Sequence, residues 1–270
     1  MDSNFITQLI SSFAFGGILV AMQATIAERA NKKLAGLVLT FPSTAIVSFF
    51  FIWQVLSVQD FQCALAPVPA TMGISLLFIY VYIKSFQTVQ KLNLQKSMQI
   101  LLAILISISF WALCAIAILK SQLTNIWFSL CISTLLILAT KFLLSRETLC
   151  TQPLPDIRYN WLQKLLRIVF SGGVISTTVF LAKTMGPIWG GIFSMFPAAY
   201  ISSLLMYSPN YNHRFMYRAY YSAPKGILGL LIFTFVALWT FPLFGNIVGT
   251  LAAVFSSFIY SFLIHYFSED

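Results

Sequence analysis

Apolar residues run along this chain in long, unbroken stretches. Nine are legible, over residues 6–27, 34–56, 66–83, 98–119, 124–144, 165–182, 188–207, 226–243 and 247–267. Each approaches the roughly 20 residues that a helix needs to cross the hydrocarbon core of a bilayer. The runs are continuous rather than alternating, so they do not read as the strands of an outer-membrane barrel. Connections between them are short. The longest, 145–164 with Pro153 and Pro155, and 208–225, are too small to be folded domains. The expected fold is an all-α polytopic membrane protein with about nine transmembrane helices.

Composition strengthens that reading. Hydrophobic residues make up 59% of the chain and charged residues 9%, whereas a soluble domain carries roughly a quarter charged. The formal net charge of +9 is not a nucleic-acid footprint, because no basic cluster is dense enough to follow a phosphate backbone. It follows the positive-inside rule instead. With the N-terminus outside, the inner connections hold Arg29, Lys32, Lys33, Lys84, Lys91, Lys96, Lys141, Arg146, Arg158, Lys164, Arg167, Arg214, Arg218 and Lys225, leaving only Lys120 and Lys183 outside. The expected topology is N-terminus out and C-terminus cytoplasmic. Membrane lipids are the expected surroundings and nucleic acid is not an expected partner.

An internal repeat organises the nine segments. Residues 17–48 align without a gap on residues 172–203, at an offset of 155. Identical pairs are Gly17/Gly172, Ala27/Ala182, Gly36/Gly191, Phe41/Phe196, Pro42/Pro197, Ile46/Ile201 and Ser48/Ser203. Segments 1–4 then correspond to segments 6–9, with segment 5 as a linker helix. An odd number of crossings separates equivalent helices, so the two four-helix repeats are expected to be inverted, as in many secondary transporters. The expected boundaries are 1–122 for the first repeat, 123–160 for the linker helix with its cytoplasmic loop, and 161–270 for the second repeat.

The repeat places a proline near the middle of segments 2 and 7. Each proline removes a backbone donor and displaces the carbonyl four residues earlier, that of Val38 or Phe193. Discontinuous helices at the midplane point to a transporter site. The candidate substrate-binding residues are therefore Phe41, Pro42, Phe196 and Pro197, with Gly36 and Gly191 for close approach. Ser43, Thr44, Ser194 and Gln23 are the candidate polar groups, and Lys183 is the candidate charge. Glu28 and Arg29, at the end of the first segment, are candidate gating residues. Ser176, Thr177 and Thr178 lie on the preceding helix of the second half. Hydroxyls of this kind also bond their own helix backbone, and charges at helix ends also snorkel to the interface.

The chemistry absent from the pattern narrows the function. No Asp or Glu falls in the middle of a segment, and the four cysteines are scattered. A carboxylate relay, a metal site, a nucleophilic triad and a nucleotide loop all lack their residues. Neither an enzyme nor a cofactor or metal is expected. The Tyr- and Arg-rich stretch 207–221 reads as an interfacial belt.

The stretch 181–199, and more loosely 27–44, resembles the GlpM-like family of small bacterial membrane proteins. Those have about four helices, with a basic residue after the first and a Gly-initiated second helix with an internal proline. The resemblance implies a tandem fusion of two such units in a bacterial cytoplasmic membrane. It matches Lys183, Gly191 and Pro197 to one unit and Arg29, Gly36 and Pro42 to the other. The charges at Glu28, Lys32 and Lys33 depart from the pattern. The expected function is a secondary-type transporter or permease for a small neutral or anionic solute. The alternatives are an accessory or assembly subunit of a membrane complex, packed through small-residue faces, and a lipid-handling protein. Self-association into a homo-oligomer is compatible with each.

Overall fold

The structure, a computed structural model, describes residues 3–29, 43–147 and 161–267. Every regular element among them is helical. The helices are α1 (Ser3–Arg29), α2 (Ser43–Val55), α3 (Val58–Leu65), α4 (Val68–Val89), α5 (Lys96–Lys120), α6 (Ile126–Ser145), α7 (Trp161–Thr184), α8 (Pro187–Ser194), α9 (Ala198–Tyr207), α10 (His213–Ala219) and α11 (Ala223–Phe267). A 3₁₀ turn, Gln90–Leu92, follows α4. Among the described residues, seven helical stretches are long and apolar enough to cross a membrane. One joins α3 and α4, another joins α8 and α9, and α11 supplies a third. This architecture is compatible with a helical membrane protein, and its broad exposed faces of Ile, Leu and Phe on α1, α5 and α6 suit lipid better than water.

Local sequence explains where helices start and bend. Asn125 accepts the backbone N–H of Trp127 and Phe128 at 2.9 and 3.3 Å, capping α6. Ser57 accepts that of Asp60, opening α3, and Asn212 accepts that of Phe215, opening α10. These caps satisfy donors that a helix start leaves orphaned. The expected segments 226–243 and 247–267 form two arms of α11, joined at Gly245. There φ is 75° and ψ is 178°, a conformation essentially open to glycine alone. The arms run back along each other. Thr240 Oγ1 lies 3.2 Å from the carbonyl of Gly249, and Gly229 faces Ser257 and Ser261.

The chain forms two compact units, and each draws on both halves of the sequence. The first comprises Met1–Val68, Asp156–Phe196 and Gly226–Asp270. Its core includes Phe5, Val47, Phe51, Val55, Ile175 and Val179, contributed by α1, α2 and α7. A second cluster stacks Phe61 on Phe241 with centroids 5.0 Å apart, and Trp53 packs edge-on against both. Such aromatic pairs add to simple burial.

The second unit comprises Pro69–Pro155 and Pro197–Lys225. Its centre is α4, where Phe78, Ile79, Tyr82 and Phe86 have no exposed surface. Its first part, Val68 to Ile83, carries no charge, as suits a helix that others surround. Side-chain hydrogen bonds hold it there. Ser129 of α6 accepts the N–H of Ala70 at 2.9 Å, one of the orphan donors of the first turn of α4. Trp111 of α5 donates to Ser75 at 3.0 Å. The hydroxyls of Tyr82 and Ser208 meet at 2.6 Å. Polar contacts of this kind are a common adhesive between apolar helices.

Candidate functional site

The second Phe-Pro motif lies in a broken helix. Gly186, at φ 107° and ψ 164°, turns the chain out of α7, and Pro187 opens α8 as a first helical residue. That position needs no N–H. After eight residues α8 stops at Ser194, and α9 begins at Ala198 and runs for ten. In the gap, the N–H groups of Met195 and Phe196 fold back to the carbonyls of Ile192 and Phe193 at 3.2 and 3.0 Å. The Phe193 carbonyl is the one that a proline at 197 displaces from the helical ladder, and Phe196 satisfies it instead. Pro197 caps α9, its carbonyl accepting the N–H of Ile201 at 2.9 Å.

The other candidates of the second half take specific places. Gly191 is buried against α3, where a Cβ would overlap the carbonyl oxygen of Ala64. Phe196 stacks on Phe193 at 5.3 Å and meets Phe170 edge-on at 6.5 Å. Ser194 is buried and donates to its own helix at Gly191 O, 2.7 Å away. Thr177 and Thr178 likewise bond back to Gly173 and Val174. Lys183, exposed at the end of α7, donates to the carbonyl of Val55 at 3.3 Å. It thereby satisfies a carbonyl that the end of α2 leaves open.

In the first half, Gly36, Phe41 and Pro42 lie outside the described residues. Glu28 and Arg29 occupy the last turn of α1. Ser43, buried at the start of α2, donates to Oε1 of Gln23 on α1, and Thr44 follows in the same turn. Of the candidate polar groups, Gln23 and Ser43 are the pair that the fold brings together through their side chains.

One set of contacts connects positions 155 residues apart. A Cβ on Gly17 would sit 3.0 Å from the carbonyl oxygen of Ile168, and one on Gly172 would sit 2.6 Å from that of Phe13. Gly17 and Gly172 are separated by 155 residues, and so are Phe13 and Ile168. Ser176 Oγ donates to the carbonyl of Leu9 at 3.1 Å. Residues 9, 13 and 17 of α1 thus face 176, 172 and 168 of α7, and the two helices run antiparallel.

Two features escape a segment-by-segment reading. Arg167, counted among the inner-loop charges, lies within α7 at 9% exposure. Glu147, just beyond α6, folds onto α4. It accepts Lys84 Nζ at 2.9 Å and the hydroxyl of Tyr80 at 3.3 Å, both on the same oxygen. Tyr217 of α10 is buried beside it, with a hydroxyl that makes no hydrogen bond of regular geometry. Burial, and after it the Glu147 charge, raise the Tyr217 phenol above its ordinary range. His213 places Nδ1 3.3 Å from Gln90 Oε1. Its pKa is lowered, first by burial and then by Arg214, with Glu147 opposing. The stretch 207–221 is thus not wholly an interfacial belt, because Phe215, Met216 and Tyr217 pack inward. The i, i+4 spacing of Tyr80 and Lys84 puts them on one face, a signal available in the sequence. Their acidic partner is not local, so no periodicity reveals it. Among the described residues, no three His, Cys, Asp or Glu side chains gather as a metal site would require. Compared with family models, characterised proteins and solved structures, the chain matches none.

Proposed function

We propose that this chain is a secondary-type permease of a bacterial cytoplasmic membrane, built from two inverted halves and working by alternating access around paired Phe-Pro breaks. The observation that carries the reading is the reciprocal packing of α1 and α7. Gly17 meets Ile168 while Gly172 meets Phe13, so equivalent positions exchange partners, as in a self-complementary two-fold contact. The antiparallel course of the pair is what halves turned upside down require. The similarity of 181–199 to GlpM-like proteins is in keeping with a fusion of two such units.

The broken span Pro187–Tyr207 supports a site at the break. A helix that restarts there offers its first N–H groups to an anionic or polar solute. In the first half, the Gln23 and Ser43 side chains meet between α1 and the start of α2 and supply polar groups there. The substrate class is small and neutral or anionic, because no Asp or Glu stands in the middle of an apolar segment to take a cation.

The test is uptake into proteoliposomes, using a panel of labelled small neutral and anionic solutes. One or more should accumulate above protein-free vesicles, and Pro42→Ala and Pro197→Ala should each slow uptake by at least tenfold while the protein stays folded. Accumulation of none, or unchanged rates in both variants, rules the reading out.

A further inference from the structure

Away from the broken span, the second unit contains a groove with an apolar body and a polar head. Its volume is about 320 Å³, at the low end of ligand pockets. It lies between α4 and α5, with Val81, Val89 and Ile106 forming apolar walls and Ile106 46% exposed at the open side. Tyr80 and Lys84 also line it. The Thr88 hydroxyl is committed to the carbonyl of Lys84 at 2.9 Å, which leaves Ser85 as the remaining hydroxyl of the wall.

The polar head is built to hold an oxyanion. The Lys84 ammonium and the Tyr80 hydroxyl both donate to one oxygen, Oε1 of Glu147. Two donors converging on one carboxylate oxygen are what a carboxylate or phosphate ligand would meet. The Glu147 carboxylate is the chain's own occupant of that position, and it is attached to neither wall of the groove. Lys84 keeps 48% of its side chain exposed, so an incoming anion can reach it. Basic pockets between apolar helices are a recognised means of holding anionic lipid headgroups.

We propose that this groove binds an anionic phospholipid. Its acyl chain lies along Val81, Val89 and Ile106, and a headgroup phosphate oxygen takes the place of Glu147 between Lys84 and Tyr80. Glu147 then acts as a tethered competitor that closes the headgroup position when the lipid leaves. A zwitterionic headgroup carries its own cation beside the phosphate, which competes with Lys84 for that oxygen, so the site favours net negative charge at the head and apolarity along the body. This inference does not depend on solute transport.

The experiment is native mass spectrometry of the full-length protein released from detergent, with phosphatidylglycerol and phosphatidylcholine of identical acyl chains. The wild type should retain phosphatidylglycerol at least fivefold over phosphatidylcholine. Lys84→Gln should abolish that preference, and Glu147→Gln should strengthen it by removing the competitor. Ile106→Trp should lower retention of phosphatidylglycerol by filling the body of the groove. Tyr80→Phe is the milder variant, expected to weaken the preference two- to threefold with the fold intact. Inorganic phosphate at millimolar concentration should not displace the lipid. An unchanged preference in Lys84→Gln, unchanged retention in Ile106→Trp, or displacement by phosphate alone overturns the proposal. If Lys84→Gln does not fold, an unchanged preference in Tyr80→Phe does so.

Discussion

The carbonyl oxygen of Phe13 lies 2.6 Å from where a side chain on Gly172 would begin. Nothing larger than hydrogen fits there, and the backbones of α1 and α7 touch because of it. The neighbouring Gly173 has open space around its missing Cβ. Gly172→Ala should therefore destabilise the protein by about 1–3 kcal/mol through overpacking. Gly173→Ala should be neutral or stabilising by up to about 1 kcal/mol, because alanine is the better helix former. Thermal unfolding of the two variants in the same detergent checks the contrast. Equal midpoints would mean that α1 and α7 do not approach this closely.

Gly191 makes a second such contact, against the backbone of Ala64 at the end of α3. Gly191→Ala should cost at least as much as Gly172→Ala, because its Cβ would overlap a main-chain oxygen more deeply than the 2.6 Å approach at Gly172. The same midpoint measurement orders the two. A loss smaller than that of Gly172→Ala would contradict the packing of α8 on α3.

Lys183 separates anchoring from substrate recognition. Its ammonium satisfies the Val55 carbonyl, but the side chain is exposed, and water can take its place. Lys183→Gln should lower stability by less than about 1 kcal/mol. An anchoring lysine leaves uptake in proportion to folded protein. If the lysine also holds an anionic solute, Lys183→Gln raises KM beyond what the loss of folded protein accounts for.

His213 gives α10 a pH dependence. Burial, and then Arg214, hold its pKa below the ordinary 6.5 in the folded state. Above that value the imidazole is neutral in both folded and unfolded chains and contributes nothing. As pH falls through 6.5 the unfolded state takes up the proton first, so stability is lost until the folded-state pKa is also passed. Hydrogen exchange of peptides covering 207–221, corrected for intrinsic rates, should accelerate across that acid window in the wild type. His213→Gln should remove the acceleration. If the step survives in that variant, another group is responsible.

Much of the helical framework was readable because long apolar runs have few other structures open to them. The run 98–119 became Lys96–Lys120, and 124–144 became Ile126–Ser145. Pro197 announced a break because proline cannot complete the ladder, and Gly245 bends α11 inside the expected turn between 243 and 247. Helix α3 was harder to foresee, since Gln59, Asp60 and Gln62 interrupt its apolar character. The partners of the chosen residues were not legible. Gly36 and Gly191 stood out for their spacing, but only coordinates show that Gly191 abuts Ala64. Glu147 lies between apolar runs, and its partners Tyr80 and Lys84 are more than 60 residues away. Local pattern reports which face a residue shares and carries no record of what that face meets.

The pairing of α1 with α7 also bears on the order of assembly. Phe13 and Gly172 are 159 positions apart, and closing so long a loop is slow compared with closing a short one. The arms of α11, whose contacts join neighbours such as Thr240 and Gly249, can pair soon after both are made. Helix α1 is synthesised first but completed late. Its glycine face must wait through the synthesis of about 160 further residues, at roughly 5–20 residues per second, before α7 arrives to cover it. During those seconds α1 is the part of the nascent chain most open to capture by another helix.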